Sequence, residues 1–173
     1  HEPRGLALYA KPLEKDMPHD SLDKLLELPC DILVPAARPD AITCENADRI
    51  RARVILQGAN NPVHGIIEYY LNRRKNVISL TDWIVNAGGV IGCAVELKMD
   101  ADPDYRNKVL APGDNGRVYL EKLVYSTVSR NVREIFDRVK ADQSNNPATF
   151  REHALELARS RLANDEIRKT VWL

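Results

Sequence analysis

The sequence predicts an α/β fold in which a parallel sheet has helices on both faces and a helical tail follows. Three runs of apolar residues, at 31–34, 54–56 and 76–79, have the length of strands but lack the polar alternation of a sheet that faces water. Segments with apolar residues at helical spacing separate these runs. Strands that are apolar on both sides belong in a parallel sheet, because its crossover helices bury both faces.

The first half of the chain alternates these strands with predicted helices. Helices are expected at residues 20–28 with Asp20 or Ser21 as cap, within 43–51 with Thr43 as cap, at 65–74 after a first-turn Pro62, and at 90–98. One more strand is expected at residues 5–10.

The second half is predicted to be a loop followed by helices. Residues 99–116 are rich in Pro, Asp, Asn and Gly, so we expect them to be mostly loop. Residues 117–140 carry one apolar stripe at three- and four-residue spacing, which predicts a long amphipathic helix. A second helix of about four turns is predicted at residues 150–162.

Composition and charge exclude several classes of partner. The 25 Lys and Arg residues balance 25 Asp and Glu residues, so we expect neither nucleic acid nor an anionic membrane as partner. The longest uncharged stretch, residues 83–95, is shorter than the ~20 residues of a membrane span. The first residues lack the pattern of a secretory signal, which favours a cytoplasmic location. A chain that opens on His1 rather than Met is expected to be part of a longer protein.

The cysteines and histidines give no indication of a metal site. Cys30, Cys44 and Cys93 are widely spaced and have no His at metal-ligand spacing, so we expect buried, reduced thiols. The Ser and His residues likewise form no recognisable nucleophile and base pattern. We therefore predict neither metal ligands nor catalytic residues in this chain.

Three loops are the candidate ligand-binding positions, because parallel sheets bind ligands at the carboxyl ends of their strands. Small residues, Ala36 and Ala37, follow the first strand, and Gln57-Gly-Ala-Asn-Asn61 follows the second. The segment Asn86-Ala-Gly-Gly-Val90 places paired glycines immediately before a predicted helix, although each costs ~1 kcal/mol relative to Ala within a helix. Each loop also has a purely structural interpretation, namely a chance loop, a tight turn or a closely packed helix junction.

Taken together, three stretches resemble the C-terminal nucleotide-binding domain of the glutamate/leucine/phenylalanine/valine dehydrogenase family. They are Cys30-Asp-Ile-Leu-Val-Pro-Ala-Ala37, Gln57-Gly-Ala-Asn60 and Val85-Asn-Ala-Gly-Gly-Val-Ile91. The resemblance implies that residues 1–98 form the second half of a Rossmann-like domain, that 99–116 are a loop insertion, and that 117–173 are the helical C-terminal segment of the same domain.

The resemblance also implies an activity and a set of binding residues. Members of the family oxidatively deaminate an L-amino acid to its 2-oxo acid and ammonia and pass hydride to NAD or NADP. Ala36 and Ala37 would lie along the cofactor, and Asn60 would contact its nicotinamide ribose region. Asn86 would reach the nicotinamide amide or the substrate, and Cys93 would face the substrate side chain.

The family pattern is incomplete in this sequence. No Gly-x-Gly-x-x-Gly turn occurs. The resemblance implies that the family's catalytic Lys and Asp belong to a separate N-terminal domain, which we expect to lie outside this chain. We therefore expect the chain to be inactive by itself and the intact protein to be a homo-oligomer, while the choice between NAD and NADP stays open. The alternative is a non-catalytic binding or assembly module derived from such a domain. The coding sequence upstream of His1 distinguishes the two.

The identity of the substrate depends on Cys93 in this interpretation. Glutamate-specific relatives place a Ser hydroxyl at that position to bind the substrate carboxylate, whereas the leucine and phenylalanine types have an apolar residue. A thiol is a poor partner for a carboxylate, which favours an apolar substrate, although Gln57-Gly-Ala is closer to the glutamate type. Asn61 also departs from the pattern, since many relatives carry Gly there.

Overall fold

The computed structural model describes residues 22–164 of the chain, apart from 112 and 114. Within that range the chain forms three strands, seven α-helices and one 3₁₀ turn. In chain order these are α1 (Leu22–Leu26), β1 (Ile32–Leu33), the 3₁₀ turn (Ala47–Arg49), β2 (Val54–Leu56), α2 (Gly65–Lys75), β3 (Ile78–Leu80), α3 (Asp82–Val85), α4 (Gly88–Ala101), α5 (Pro103–Leu110), α6 (Arg117–Ala141) and α7 (Phe150–Ala163). The strand expected at 5–10 and the caps expected at Asp20 and Ser21 lie outside the described residues.

The three strands form one parallel sheet in the order β1-β2-β3, as the sequence predicts. Leu33 lies opposite Ile55, and Ile55 lies opposite Ser79. The central strand β2 therefore has hydrogen-bonded neighbours on both sides.

Alternate residues of β2 enter two separate hydrophobic cores, one on each face of the sheet. Ile55 is fully buried in the first core, which contains Leu71 of α2. Val54 and Leu56 point the other way, into a core built from α3, α6 and α7. The prediction that helices cover both faces is confirmed at β2 and β3, and the architecture is that of part of a Rossmann-like domain.

Strand β1 is covered on one face only. Leu33 packs into the first core, whereas Ile32 and its neighbour Val34 are 56% and 54% exposed. The second core reaches β2 and β3 but includes no residue of β1. Within the described residues, the apolar outer face of β1 is therefore left open.

The prediction of a mostly loop segment at 99–116 is wrong. Helix α4 continues to Ala101, and α5 follows from Pro103. The side chain of Asp102 accepts hydrogen bonds from the amides of Asp104 and Tyr105, so this residue is a helix N-cap and the proline after it occupies the first turn. Asp and Pro are turn residues, but they are also the residues that begin helices.

Three smaller expectations also need correction. Pro62 is not in the first turn of α2, because the N-cap of that helix is His64; the proline lies before the helix and is fully buried. The helix expected within 43–51 is a single 3₁₀ turn, closed by the amide of Ile50 donating to the carbonyl of Ala47, and Thr43 lies in the preceding turn, where its carbonyl accepts from the amide of Ala47. All three cysteines are free, but none is fully buried, since Cys30 is half-buried and Cys44 and Cys93 are exposed.

The helical tail packs against the sheet through the apolar stripe of α6. Ile135 is fully buried, and the rings of Phe136 and Phe150 meet edge to face with centroids 5.4 Å apart. Thr149 and Glu152 form a reciprocal capping box at the start of α7, which defines the beginning of that helix. None of the helices in the described ranges is long and apolar enough to cross a membrane.

Asp142 organises the connection between α6 and α7. Its carboxylate accepts hydrogen bonds from the amides of Ser144, at 3.1 Å, and Ala148, at 2.7 Å. The imidazole Nε2 of His153 lies 3.3 Å from the same carboxylate. Hydrogen bonds from Ser144 and from the backbone of Ala148 lower the pKa of Asp142 from its usual 3.8 to about 2.

Because folding lowers the pKa of Asp142, the free energy of unfolding depends on pH in the acid range. The carboxylate of Asp142 stabilises the fold fully above pH 3.8, and its contribution is lost as the pH falls toward about 2. We expect Asp142→Asn to lower the free energy of unfolding at neutral pH. The difference in this free energy between the variant and the wild type should shrink as the pH falls from 3.8 to about 2. Urea unfolding at a series of pH values measures it, with the exposed Asp137→Asn as control. A difference that stays constant with pH would contradict the assignment.

Candidate functional site

Three loops meet at the carboxyl edge of the sheet, and we name them by their residues. Loop A (35–40) follows β1, loop B (57–61) follows β2, and loop C (81–87), which contains the short helix α3, follows β3. The amide of Ala59 donates to the carbonyl of Pro35 at 2.9 Å, which ties loop B to loop A. A Cβ at Gly58 would lie 2.9 Å from the Cβ of Ala36. The close approach of the two loops therefore requires glycine at position 58 and a small residue at 36.

Loops A and B also pair further along the chain. The amide of Asp40 donates to the carbonyl of Asn61, and the amide of Ile42 donates to the carbonyl of Pro62. Asn61 has a φ of 48°, in the left-handed region that Gly and Asn tolerate best. The backbone conformation at position 61 thus suits the Asn found there.

Asn86 links loop C to loop B. This residue ends α3, and its side-chain Nδ2 donates to Asn60 Oδ1 at 2.9 Å and to the carbonyl of Ala59 at 3.3 Å. The structure therefore brings together two of the carboxamides that the sequence predicted as binding residues. The two residues are 26 positions apart in the chain, and they meet because β2 and β3 pair in parallel, so that both strands end at the same edge of the sheet.

Loops A and B line an open cavity of about 660 Å³. This volume lies within the range of small-molecule sites. The predicted residues Ala36, Ala37 and Asn60 all line it, and Arg38 is the one charged residue among the described lining residues. No carboxylate, histidine or lysine from the described part of the chain lines it, so this lining supplies no group suited to general acid–base catalysis.

The glycines of the segment 86–90 lie inside α4 rather than before it, since the helix begins at Gly88. A Cβ at Gly88 would meet Val124 of α6 at 3.5 Å, an ordinary contact, and a Cβ at Gly89 would meet nothing within 4 Å. Packing among the described residues therefore does not require glycine at 89.

Cys93 lies on an exposed apolar face of α4 and does not line the cavity. Val90 and Leu97, three residues before it and four after, are 75% and 71% exposed. Residues at this spacing lie on the same side of a helix, so Cys93 belongs to a continuous apolar strip. Within the described residues, nothing covers this strip.

A buried polar cluster behind loop B escaped the sequence analysis. Gln57 is fully buried, and its Nε2 donates to Ser79 Oγ at 2.9 Å and to the carboxylate of Glu68. Glu68 also forms an ion pair with Arg151 of α7. The sequence offered one weak signal, a glutamate among apolar residues of α2, and no signal for its partner 83 residues away.

Burial is the largest single influence on the Arg151 guanidinium and opposes its charge, whereas the hydrogen bonds from the guanidinium to Glu68 favour the charged form. Together with the charge of Glu68 and a smaller contribution from Asp82, they raise the pKa of Arg151 above its usual value. The guanidinium is therefore permanently charged. No three His, Cys, Asp or Glu residues in the described ranges come together in a metal-binding arrangement.

Comparison with known proteins gives the family of this chain. The family model for glutamate/leucine/phenylalanine/valine dehydrogenase matches residues 2–169. NAD-specific glutamate dehydrogenase A of Halobacterium salinarum is 28% identical over 171 residues, which is 99% of this chain and 35% of that protein. The chain thus spans about a third of the length of this relative.

Shorter matches are closer in sequence. Glutamate dehydrogenase of Aeropyrum pernix is 52% identical over 73 residues, covering 42% of this chain and 17% of that protein. NADP-specific glutamate dehydrogenase of Saccharolobus shibatae is 38% identical over 74 residues, covering 43% and 17%. With a family model that matches nearly the whole chain, the protein belongs to the glutamate/leucine/phenylalanine/valine dehydrogenase family.

Proposed function

We propose that this chain forms the nicotinamide end of the cofactor site in an enzyme that oxidatively deaminates an L-amino acid to its 2-oxo acid and ammonia. The observation that carries the proposal is the hydrogen bond between Asn86 and Asn60, beside the cavity that Ala36 and Ala37 line. This bond joins loop C to loop B, and the cavity lining joins loop B to loop A, so residues from all three loops lie at one edge of the sheet, which supports the proposal.

The residues around this cavity suit the nicotinamide half of NAD or NADP. Small side chains at Ala36, Ala37 and Gly58 allow a flat ligand to approach the backbone. The carboxamides of Asn60 and Asn86 both donate and accept hydrogen bonds, which matches ribose hydroxyls and the nicotinamide carboxamide. NAD or NADP, when bound, supplies the hydride acceptor.

The role of the protein residues in this proposal is to bind and orient. Loop B, held between loops A and C, presents Asn60 at a defined position. The described lining of the cavity offers no group that moves a proton, so in this proposal that group comes from outside the described lining.

The apolar strip on α4 favours a substrate with an apolar side chain. Cys93 has no strong hydrogen-bond donor for a carboxylate, and Val90 and Leu97 flank it on the same exposed face. The relatives named above are glutamate dehydrogenases, so the substrate is the point on which this protein would differ from them.

Gly89→Ala separates a binding role from a structural one. Because a methyl group there meets open space, we expect the free energy of unfolding to stay the same or to rise by up to ~1 kcal/mol. The same methyl group would obstruct the bound nicotinamide and raise the Kd for NAD or NADP about tenfold, a cost of ~1.4 kcal/mol. Fluorescence titration of the full-length protein measures the Kd.

Gly92→Ala is the matched control, because its Cβ would face Leu120 of α6 at 3.9 Å. It should change stability in the same direction and leave the Kd unchanged. Equal Kd values for the two variants would argue against a ligand beside Gly89.

The substrate proposal is tested by comparing kcat/KM for a panel of L-amino acids in the full-length protein. We expect apolar amino acids to be preferred over glutamate, and we expect Cys93→Ser to shift the preference toward glutamate by adding a hydroxyl donor. Cys44→Ser, at an exposed cysteine in another part of the chain, should have no effect. A wild-type preference for glutamate would overturn the assignment.

We expect the 173-residue chain alone to transfer no hydride. The near-ultraviolet absorbance of reduced nicotinamide, followed with NAD or NADP and a panel of amino acids, provides the measurement. Turnover in proportion to the amount of purified chain would refute this expectation. Reading the coding sequence upstream of His1 for a glycine-rich turn and a lysine-bearing domain provides an independent check.

A further inference from the structure

A buried ion pair joins α2 to α7 directly behind loop B. The Nε and one terminal nitrogen of Arg151 donate to the two carboxylate oxygens of Glu68, at 3.0 and 2.7 Å. The side chain of Glu68 is 2% exposed and that of Arg151 is 21% exposed. This two-point geometry fixes the orientation of both side chains.

The carboxylate of Glu68 connects this pair to the first residue of loop B. The side-chain amide of Gln57 donates to it and to Ser79 Oγ, so Gln57 is held from α2 and from β3 at once. Gln57 is fully buried. Removing Arg151 would leave Glu68 as an uncompensated buried charge in direct contact with loop B.

A second branch reaches the last residue of the same loop. The same guanidinium nitrogen of Arg151 lies 3.5 Å from Asp82 Oδ1, and Asp82 Oδ2 accepts from the amide of Asn61 at 2.8 Å. Arg151 therefore acts on both ends of loop B, on Gln57 through Glu68 and on Asn61 through Asp82. Between those ends lies Asn60, the partner of Asn86.

Another arginine of α7 shows what a purely structural ion pair looks like in this fold. Arg161 donates to Glu134 at 2.6 Å and to Asn131 at 2.9 Å, both on α6. These contacts join two helices and touch none of the three loops. The polar cluster around Arg151 is different because it ends in loop B.

We propose that Arg151 is a positioning residue for the cofactor site, acting from α7 through Glu68 and Asp82 to hold loop B in the conformation that presents Asn60 to the nicotinamide end of NAD or NADP. The proposal deepens the function proposed above and rests on it. Arg151 does not line the cavity, so its effect is exerted through these partners.

The test compares Arg151→Gln with Arg161→Gln in the full-length protein. Hydrogen exchange of the Asn61 amide should accelerate about tenfold in Arg151→Gln, relative to amides in α6, since the anchor of its acceptor Asp82 is weakened. The Kd for NAD or NADP should rise about tenfold, the size expected for losing one hydrogen bond to a charged group. Arg161→Gln should leave both quantities at the wild-type value.

A structural role alone would give a different pattern. Both variants would then lower the urea concentration of half-unfolding, while exchange at Asn61 and the Kd, measured on folded protein, would match in the two variants. That result would overturn the proposal. Unchanged Kd with faster exchange in Arg151→Gln would also overturn it, because loop B would move without consequence for the cofactor.

Arg151→Lys is the second variant, for use if Arg151→Gln does not fold. Lysine keeps the charge but not the two-point geometry. We therefore expect the Kd of Arg151→Lys to lie between those of the wild type and Arg151→Gln. If Arg151→Gln does not fold, the Kd of Arg151→Lys should still exceed that of the wild type. A wild-type Kd in Arg151→Lys together with wild-type exchange at Asn61 would refute the positioning role. A full-length wild-type protein that binds neither NAD nor NADP refutes the proposed function instead, and exchange at Asn61 then still decides whether Arg151 holds loop B.

Discussion

The buried carboxylate of Glu68 is the constraint on which the arrangement of the carboxyl edge of the sheet depends. An unpaired charge at this depth is strongly destabilising, so the fold must supply partners for it. It does so with the guanidinium of Arg151 and the side-chain amide of Gln57, which come from α7 and from the end of β2. Satisfying one buried group thereby holds α7 against the sheet and loop B against both.

Glycine is present at two positions near the site, 58 and 89, for different physical reasons. At Gly58 a side chain would collide with Ala36, so glycine is required for loops A and B to touch. At Gly89 a side chain would meet no described atom, and the conformation is ordinary helix, so neither packing nor backbone strain requires glycine. A glycine that the described packing does not require, at the start of α4, fits the cofactor site that we propose at this edge of the sheet.

Local pattern predicted most of the secondary structure because each of these elements has a strong periodicity of its own. Strand β2 and helices α2, α6 and α7 lie at or within one residue of the predicted positions. The failure at 99–116 has a physical reason, since Asp102 and Pro103 favour a turn and a helix start equally well and only the capping hydrogen bonds distinguish them. The open face of β1 was likewise beyond prediction, because the apolar residues that indicate burial in β2 also occur in β1, where no helix of the second core reaches them.

The sequence by itself determined the parallel α/β class, the three loops and the family, since these depend on short segments whose apolar pattern and residue order can be read locally. Only the tertiary structure decided which side chains meet. The bond from Asn86 to Asn60 depends on the pairing of β2 with β3, and the contact of Arg151 with Glu68 closes 83 residues of chain. Such contacts follow from how the helices pack on the sheet, and no local pattern encodes that packing. The segment Asn86-Ala-Gly-Gly-Val90 indicated the family, but the fold joined it to loop B and, through loop B, to helix α7.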